Sequence, residues 1–347
     1  MTNRSGQKSA RPAIQVTVRR GTMVESVHQV NAAVMDAAGT LLHRWGDIEK
    51  PVYLRSAIKP IQALPFVESG AADACNATDR EISLACASHT GEDIHVDAVT
   101  AWLDRLGLGI EDLECGAHWP SYRPAERALA ARGEQPTAAH NNCSGKHTGF
   151  LATARHLGEP LQGYIHLDHP VQQRIVRVLE DFTGLDLSRA PIGIDGCSIP
   201  TLGVPLDRAA LAIARFADPS ALGAERAAAC HRIQQAIACE PMMIAGSDRL
   251  CTALNGSARG AVIAKVGAEG VYLAALPKLG LGISMKTVDG TTRGCEAALG
   301  AVLETLGVMT DEMHTAMDGF TRPVLKNWNG FEVGQIEAHL DAAQPEG

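Results

Sequence analysis

The chain has 347 residues and a formal net charge of −8, with 46% hydrophobic and 20% charged residues. That is the profile of a globular protein able to bury a sizeable core, and it lacks the basic footprint of a nucleic-acid binder. No apolar run approaches the roughly 18 residues of a membrane span. Aromatics are only 4%, so the core has to rest on close packing of small and aliphatic side chains. The nine cysteines lie at positions 75, 86, 115, 143, 197, 230, 239, 251 and 295. Their odd number and scatter argue against a disulfide framework and place the chain in a reducing cytoplasm. Most should be small buried hydrophobes.

In chain order, residues 1–12 are polar and basic without an apolar stretch, and read as a disordered tail rather than a signal peptide. Residues 14–19, 27–34 and 40–45 alternate apolar and polar as half-buried strands do, with Asp36-Ala-Ala-Gly39 as a turn between the last two. A helical middle follows, with candidate helices over 56–69, 79–88, 92–106, 146–157, 170–183, 207–217 and 222–238. Residues 261–266, 270–275 and 281–286 form a three-strand meander, and a last helix covers 291–306 behind Thr291 or Thr292. The pattern predicts an α/β or α+β fold. One mixed or antiparallel sheet is built from 13–50 and 260–331, around a mainly helical insert at 56–240. A single catalytic unit then spans 13–331, and 332–347 form a polar, loosely ordered tail.

Five segments carry unusual chemistry. Ser56 and Lys59, in Arg55-Ser-Ala-Ile-Lys-Pro60, fall on one face of a helix that begins near Ser56. A lysine whose pKa is lowered by burial or a neighbouring cation can take the serine proton, and S-x-x-K is the nucleophile signature of penicillin-binding proteins and class A β-lactamases. Ala85-Cys-Ala-Ser-His-Thr-Gly-Glu92 exposes Ser88, His89 and Thr90 where an apolar helix stops. It serves equally well as a cap whose side chains bond freed backbone groups. His140-Asn-Asn-Cys-Ser-Gly-Lys-His-Thr-Gly149 is denser in polar chemistry than a solvated loop needs. It is no Walker motif, because His147 follows Lys146 and His140 stands where the first glycine belongs. Gly193-Ile-Asp-Gly-Cys-Ser-Ile-Pro200 sets Asp195 and Cys197 between glycines. Cys143 and Cys197 are either two independent buried thiols or, if they meet in space, ligands of a borderline metal such as zinc. Lys265-Val-Gly267, on the first strand of the meander, matches the K-T-G strand of class A β-lactamases in outline.

Together these motifs resemble the asparaginase II family of the rhizobial type, with Asn142–Gly149 and Cys86–Glu92 as the specific strings and Lys265–Gly270 as the last, over residues 55–270. The resemblance implies a serine-β-lactamase-like fold and hydrolysis of L-asparagine to L-aspartate and ammonia by a homodimer. It implies two Ser–Lys pairs, Ser56 with Lys59 and Ser88 with Lys265, and a zinc ion held by Cys143, Lys146 and Cys197. On that reading Arg55 takes the substrate α-carboxylate, Asp195 its α-ammonium, and His147 orients metal or substrate. Two neighbouring lysines depress each other's pKa, the direction a base requires. A glutaminase, a penicillin-recognising serine hydrolase and a non-catalytic zinc-stabilised amino-acid-binding protein are the alternatives.

Overall fold

The computed structural model describes residues 12–340, so the tail expected over 1–12 lies outside the described residues except for its last position. The N-terminal strands form where their alternation predicts: β1 (Ile14–Arg20), β2 (Met23–Asp36) and β3 (Leu41–Trp45). The meander is β7 (Ile263–Gly267), β8 (Val271–Leu276) and β9 (Leu281–Thr287). Between the two sets come β4 (Pro51–Tyr53), β5 (Ile192–Ile194) and β6 (Pro200–Pro205); after them come β10 (Val324–Lys326) and β11 (Glu332–His339). The main sheet has eight antiparallel strands in the order β10-β11-β1-β2-β9-β8-β7, with β3 added to β2. The long β2 makes this possible, because β1 uses residues 23–30 of one edge and β3 takes residues 32–35 farther along. β4, β6 and β5 form a small separate sheet.

Side-chain alternation assigns the two faces. Val30, Ala32 and Val34 of β2 join Ile283 and Met285 of β9 in the main core, against the helix Thr292–Thr305. Ala33 and Met35 point the other way, onto Leu206, Ala210 and Leu211 of the helix Leu206–Ala217. That helix lies unusually close to the sheet. A Cβ on Gly282 would sit 2.3 Å from the Ala210 carbonyl oxygen, so only glycine fits there. Lys265 pairs through Leu273 to Ser284, and Ser284 Oγ donates to the Leu206 carbonyl. Lys265 therefore projects toward the face covered by the helical region. The mixed α/β class, with a sheet assembled from both ends of the chain, is the architecture that the patterning predicts.

Two expectations are corrected. The single helix over 56–69 is instead a 3-10 turn, Arg55–Ile58, followed by short helices Lys59–Gln62 and Leu64–Glu68. Pro60 and Pro65 each sit in the first turn of a new helix, where the missing N–H costs nothing but would interrupt a continuous ladder. The polar tail expected from residue 332 is β11 as far as His339, paired along β1 from Gln15↔His339 to Arg20↔Gly334. Only Ile336 of that strand is fully buried, so its sequence carries little apolar signal.

Candidate active site

The helix Asp79–Ala85 opens on a capping box, Thr78 with Glu81, and stops before a seven-residue irregular stretch that carries Ser88. This stretch is fixed by its backbone: Ser88 N donates to the Ile244 carbonyl at 3.0 Å and His89 N to that of Asn142 at 3.1 Å. His89 Nδ1 accepts from Gly91 N, and Nε2 lies 2.9 Å from Ser144 Oγ. Burial, helped by the stacked His95, holds the His89 pKa well below the usual imidazole range. His89 is thus a neutral brace between two loops. Ser88, His89 and Thr90 are buried rather than exposed, and their side chains bond the two lysines, Ser144 and Glu92 rather than capping the helix.

Ser88 Oγ accepts hydrogen bonds from two lysine amines, Lys59 Nζ at 3.0 Å and Lys265 Nζ at 2.9 Å. Both lysines are 1% exposed. Lys59 also donates to the Ala87 carbonyl and to Cys143 Sγ at 3.0 Å, which occupies all three donors of an ammonium. Lys265 donates to the Val266 carbonyl at 2.7 Å. Burial pushes its pKa down to about 7; the nearby Cys251 thiol opposes this, while Lys59 and Arg249 reinforce it. The resemblance pairs Lys59 with Ser56, but its amine bonds Ser88. Ser56 is half-buried in the 3-10 turn, and its hydroxyl has no hydrogen-bond partner among the described residues. A 3-10 turn keeps residues three apart on one face, but the buried Lys59 side chain extends to the 86–88 loop rather than to Ser56.

The helix Ser144–His156 packs so tightly on the helix Asp79–Ala85 that a Cβ on Gly145 would lie 2.5 Å from the Leu84 carbonyl oxygen. This contact sets Cys143 and Lys146 beside the Ser88 loop. Lys146 Nζ donates to Cys197 Sγ at 3.1 Å, and Cys143 Sγ donates to Asn142 Oδ1 at 2.9 Å. The neighbouring Cys197 thiol outweighs burial and, with Lys59 and Lys146, holds the Cys143 pKa well below the ordinary thiol range. Cys143, then burial, pushes Cys197 up. Burial alone would lower Lys146, but attraction to the two sulfurs leaves its pKa raised. The two thiols do meet in space. Among the described residues no group of three His, Cys, Asp or Glu side chains could hold a metal; the donors beside the two thiols are the amines of Lys146 and Lys59 and the Asn142 amide oxygen.

Arg55 and Asp195 are also together. Arg55 Nε and Nη2 each lie 2.6 Å from Asp195 Oδ1. Burial raises the Asp195 pKa, but Lys146 and Arg55 overcome it and keep the carboxylate below its usual range. Arg55 has φ 49°, a left-handed conformation costly for a residue with a side chain and typical of functional turns. A Cβ on Gly267 of β7 would stand 2.6 Å from the Leu54 carbonyl oxygen and 2.9 Å from Ala57 N. The K-x-G glycine thus lets the strand bearing Lys265 touch the turn bearing Ser56. A cleft of about 390 Å³ opens at Arg55, with Tyr53, Lys50, Ala268, Glu269 and Lys286 among its walls.

His147 is the predicted site residue that stands apart. It is buried, with Nδ1 2.8 Å from Tyr164 Oη, and it has no hydrogen bond to Arg55, Asp195 or the thiols. Burial, then Lys146, keeps it neutral. Sequence reasoning missed Tyr164, and also Ser247, whose N and Oγ each donate to the Glu92 carboxylate at 2.8 Å. A signal existed for the second, since Gly246-Ser-Asp-Arg249 is a turn cluster after an apolar run.

The L-asparaginase II family model matches residues 16–338. No curated protein matches the chain in sequence. Among solved structures, a β-lactamase from Mycobacterium bovis is 14% identical with a TM-score of 0.41, over 81% of this chain and 95% of that one. Mglu in its native form is 16% identical with a TM-score of 0.39, over 81% of this chain and 62% of that one. The family match spans nearly all the described residues and every motif of the site, and the chain belongs to the L-asparaginase II family, as an asparaginase of the amidohydrolase class.

Proposed function

We infer that the chain hydrolyses L-asparagine to L-aspartate and ammonia through a serine ester, with the Ser88–lysine network as its proton relay. The observation that carries this reading is the convergence of Lys59 and Lys265 on Ser88 Oγ. A hydroxyl between two lysine amines, one of them with a pKa of about 7, can pass a proton in either direction. Ser56 is the attacking serine. It is more exposed than Ser88 and adjoins Arg55, whose guanidinium would take the substrate α-carboxylate while Asp195 takes its α-ammonium. The Arg55–Asp195 pair holds these two charges in register until a zwitterion separates them.

Ser56 Oγ attacks the side-chain amide carbon, and its proton enters the Ser88–lysine network. The network returns a proton to the nitrogen, the C–N bond breaks, and ammonia leaves. Water then cleaves the ester, with the relay taking a proton from water and restoring it to Ser56. Cys143, Cys197 and Lys146 suit a zinc ion in donor type: two soft sulfurs and an amine converge, and zinc would replace the protons they now share. Held there, the ion would supply fixed positive charge for positioning substrate. Lys146 would have to be neutral, so affinity would fall steeply as pH falls. The homodimer belongs to the same reading and is checked by sedimentation.

The test is ammonia release from L-asparagine, L-glutamine and a chromogenic β-lactam, with acid-quenched mass spectrometry of tryptic peptides. The expected result is turnover of asparagine and an aspartyl adduct on the Ser56 peptide. An adduct on Ser88 reverses the roles of the serines. Tight asparagine binding with no turnover of any amide replaces the enzyme with a sensor.

A further inference from the structure

Beside the Ser88 loop lies a second cavity, of about 250 Å³, lined by Thr90, Ser121, Arg123, Ser247, Asp248 and Arg249 among others. Of its walls, Arg249 alone bears on the Ser88–lysine network, through its charge on Lys265. Arg123 is exposed and Arg249 half-buried, and neither has an ion-pair or side-chain hydrogen-bond partner among the described residues. Half-buried Arg55, Arg174, Arg226 and Arg232 each bond a carboxylate at 2.5–2.7 Å, whereas half-buried Arg80 and Arg215 bond only backbone carbonyls. In a chain with 39 acidic against 31 basic residues, two guanidinium groups without such partners line one cavity.

The neighbouring acids are mostly committed. Glu92 accepts from Thr90 Oγ1 and from Ser247 N and Oγ, and Asp93 lies 3.5 Å from Arg132. Asp248 is the one carboxylate on the cavity wall, held at φ 54°. Two helices begin at this cavity, Arg123–Ala131 and Leu250–Ala258, and neither has a side-chain cap. Their first N–H groups and positive dipole ends add to the field of the guanidinium groups.

We propose that this cavity binds a small oxyanion, an inorganic phosphate or a short dicarboxylate, between Arg123 and Arg249. Its volume admits such an ion and is too small for a nucleotide. The hydroxyls of Ser121 and Ser247 supply neutral donors, and Asp248 opposes the charge and weakens binding. The site is separate from the place where Arg55 and Asp195 would hold substrate, so it stands whichever serine attacks.

Isothermal titration of the full chain with phosphate, and separately with succinate, at fixed ionic strength tests the assignment. Saturable binding is expected for at least one of them, weakened about tenfold or more by Arg123→Gln and by Arg249→Gln, and strengthened several-fold by Asp248→Asn. Tighter phosphate than succinate identifies a phosphate site, and the reverse order a dicarboxylate site. Arg123→Gln should keep the parent kcat for asparagine, which shows that the variant folds. Binding that neither arginine substitution changes, or no saturable binding of either anion, overturns the proposal.

Discussion

Ser88 illustrates how a buried hydroxyl can be the centre of a device that its own sequence neighbourhood does not reveal. The residue types were legible: Ser56, Lys59, Ser88, Lys265, Cys143, Lys146 and Cys197 all stand in short polar strings. Their pairing was not, because which hydroxyl Lys59 reaches depends on where the 86–88 loop lies rather than on a spacing of three. Lys265 supplies the sharpest residue-scale prediction. It must be neutral to take a proton and titrates at about 7, so kcat/KM should rise with pH through about 7 and level off above it. Lys265→Arg, which stays protonated, should abolish that limb and lower kcat by about 10²- to 10⁴-fold in a stopped ammonia assay. Stability moves the same way with pH. The unfolded lysine, with its ordinary pKa of 10.5, binds more protons than the folded one between about 7 and that value. Denaturant unfolding should therefore show stability rising across that window, less so in Lys265→Met.

At the scale of elements, glycines set the distances on which the site depends. Gly267 brings β7 against the Arg55–Ile58 turn, and Gly145 brings one helix against another. Gly267→Ala forces a methyl to within 2.6 Å of a backbone oxygen, which no side-chain rotation relieves. We expect loss of about 1–3 kcal/mol in urea unfolding and a fall in kcat larger than the rise in KM, because Lys265 and Ser56 separate. Gly145→Ala should shift the Ser88 loop from Cys143 and lower both activity and Tm. The strand alternation of β1 and the meander showed in the sequence because one or both faces are buried in a regular rhythm. The short pieces β4, β5 and β6 did not, since three to six residues give too few periods to detect, and the prolines that divide 56–69 read equally well as N-terminal helix residues.

For the whole molecule, the sheet acts as a platform whose one face holds Lys265 toward the helical region. The comparison with sequence is most favourable here: strands from both ends and helices between them follow from periodicity alone. The order of the strands depends on contacts hundreds of residues apart and had no local sign. Zinc would couple three segments, through Cys143 and Lys146 on one and Cys197 on another, to the Ser88 loop that Lys59 joins to Cys143. Elemental analysis of protein purified without chelator should find about one zinc per chain on this reading. Cys143→Ser should reduce the metal content and raise KM more than it lowers kcat; no metal in the parent protein ends the zinc proposal.

The pairing of β2 with β9 joins residues 30–36 to 281–287, and this has a consequence for biosynthesis. On a ribosome, β1, β2 and β3 emerge early, yet the edge of β2 that β9 covers waits for about 250 further residues, on the order of ten seconds or more of elongation. Throughout that interval an apolar strand edge is open to other nascent chains. Expression at reduced temperature or with a holdase chaperone should raise the yield of active enzyme, whereas a circular permutant that places β7–β9 directly before β1 should fold with less need of either.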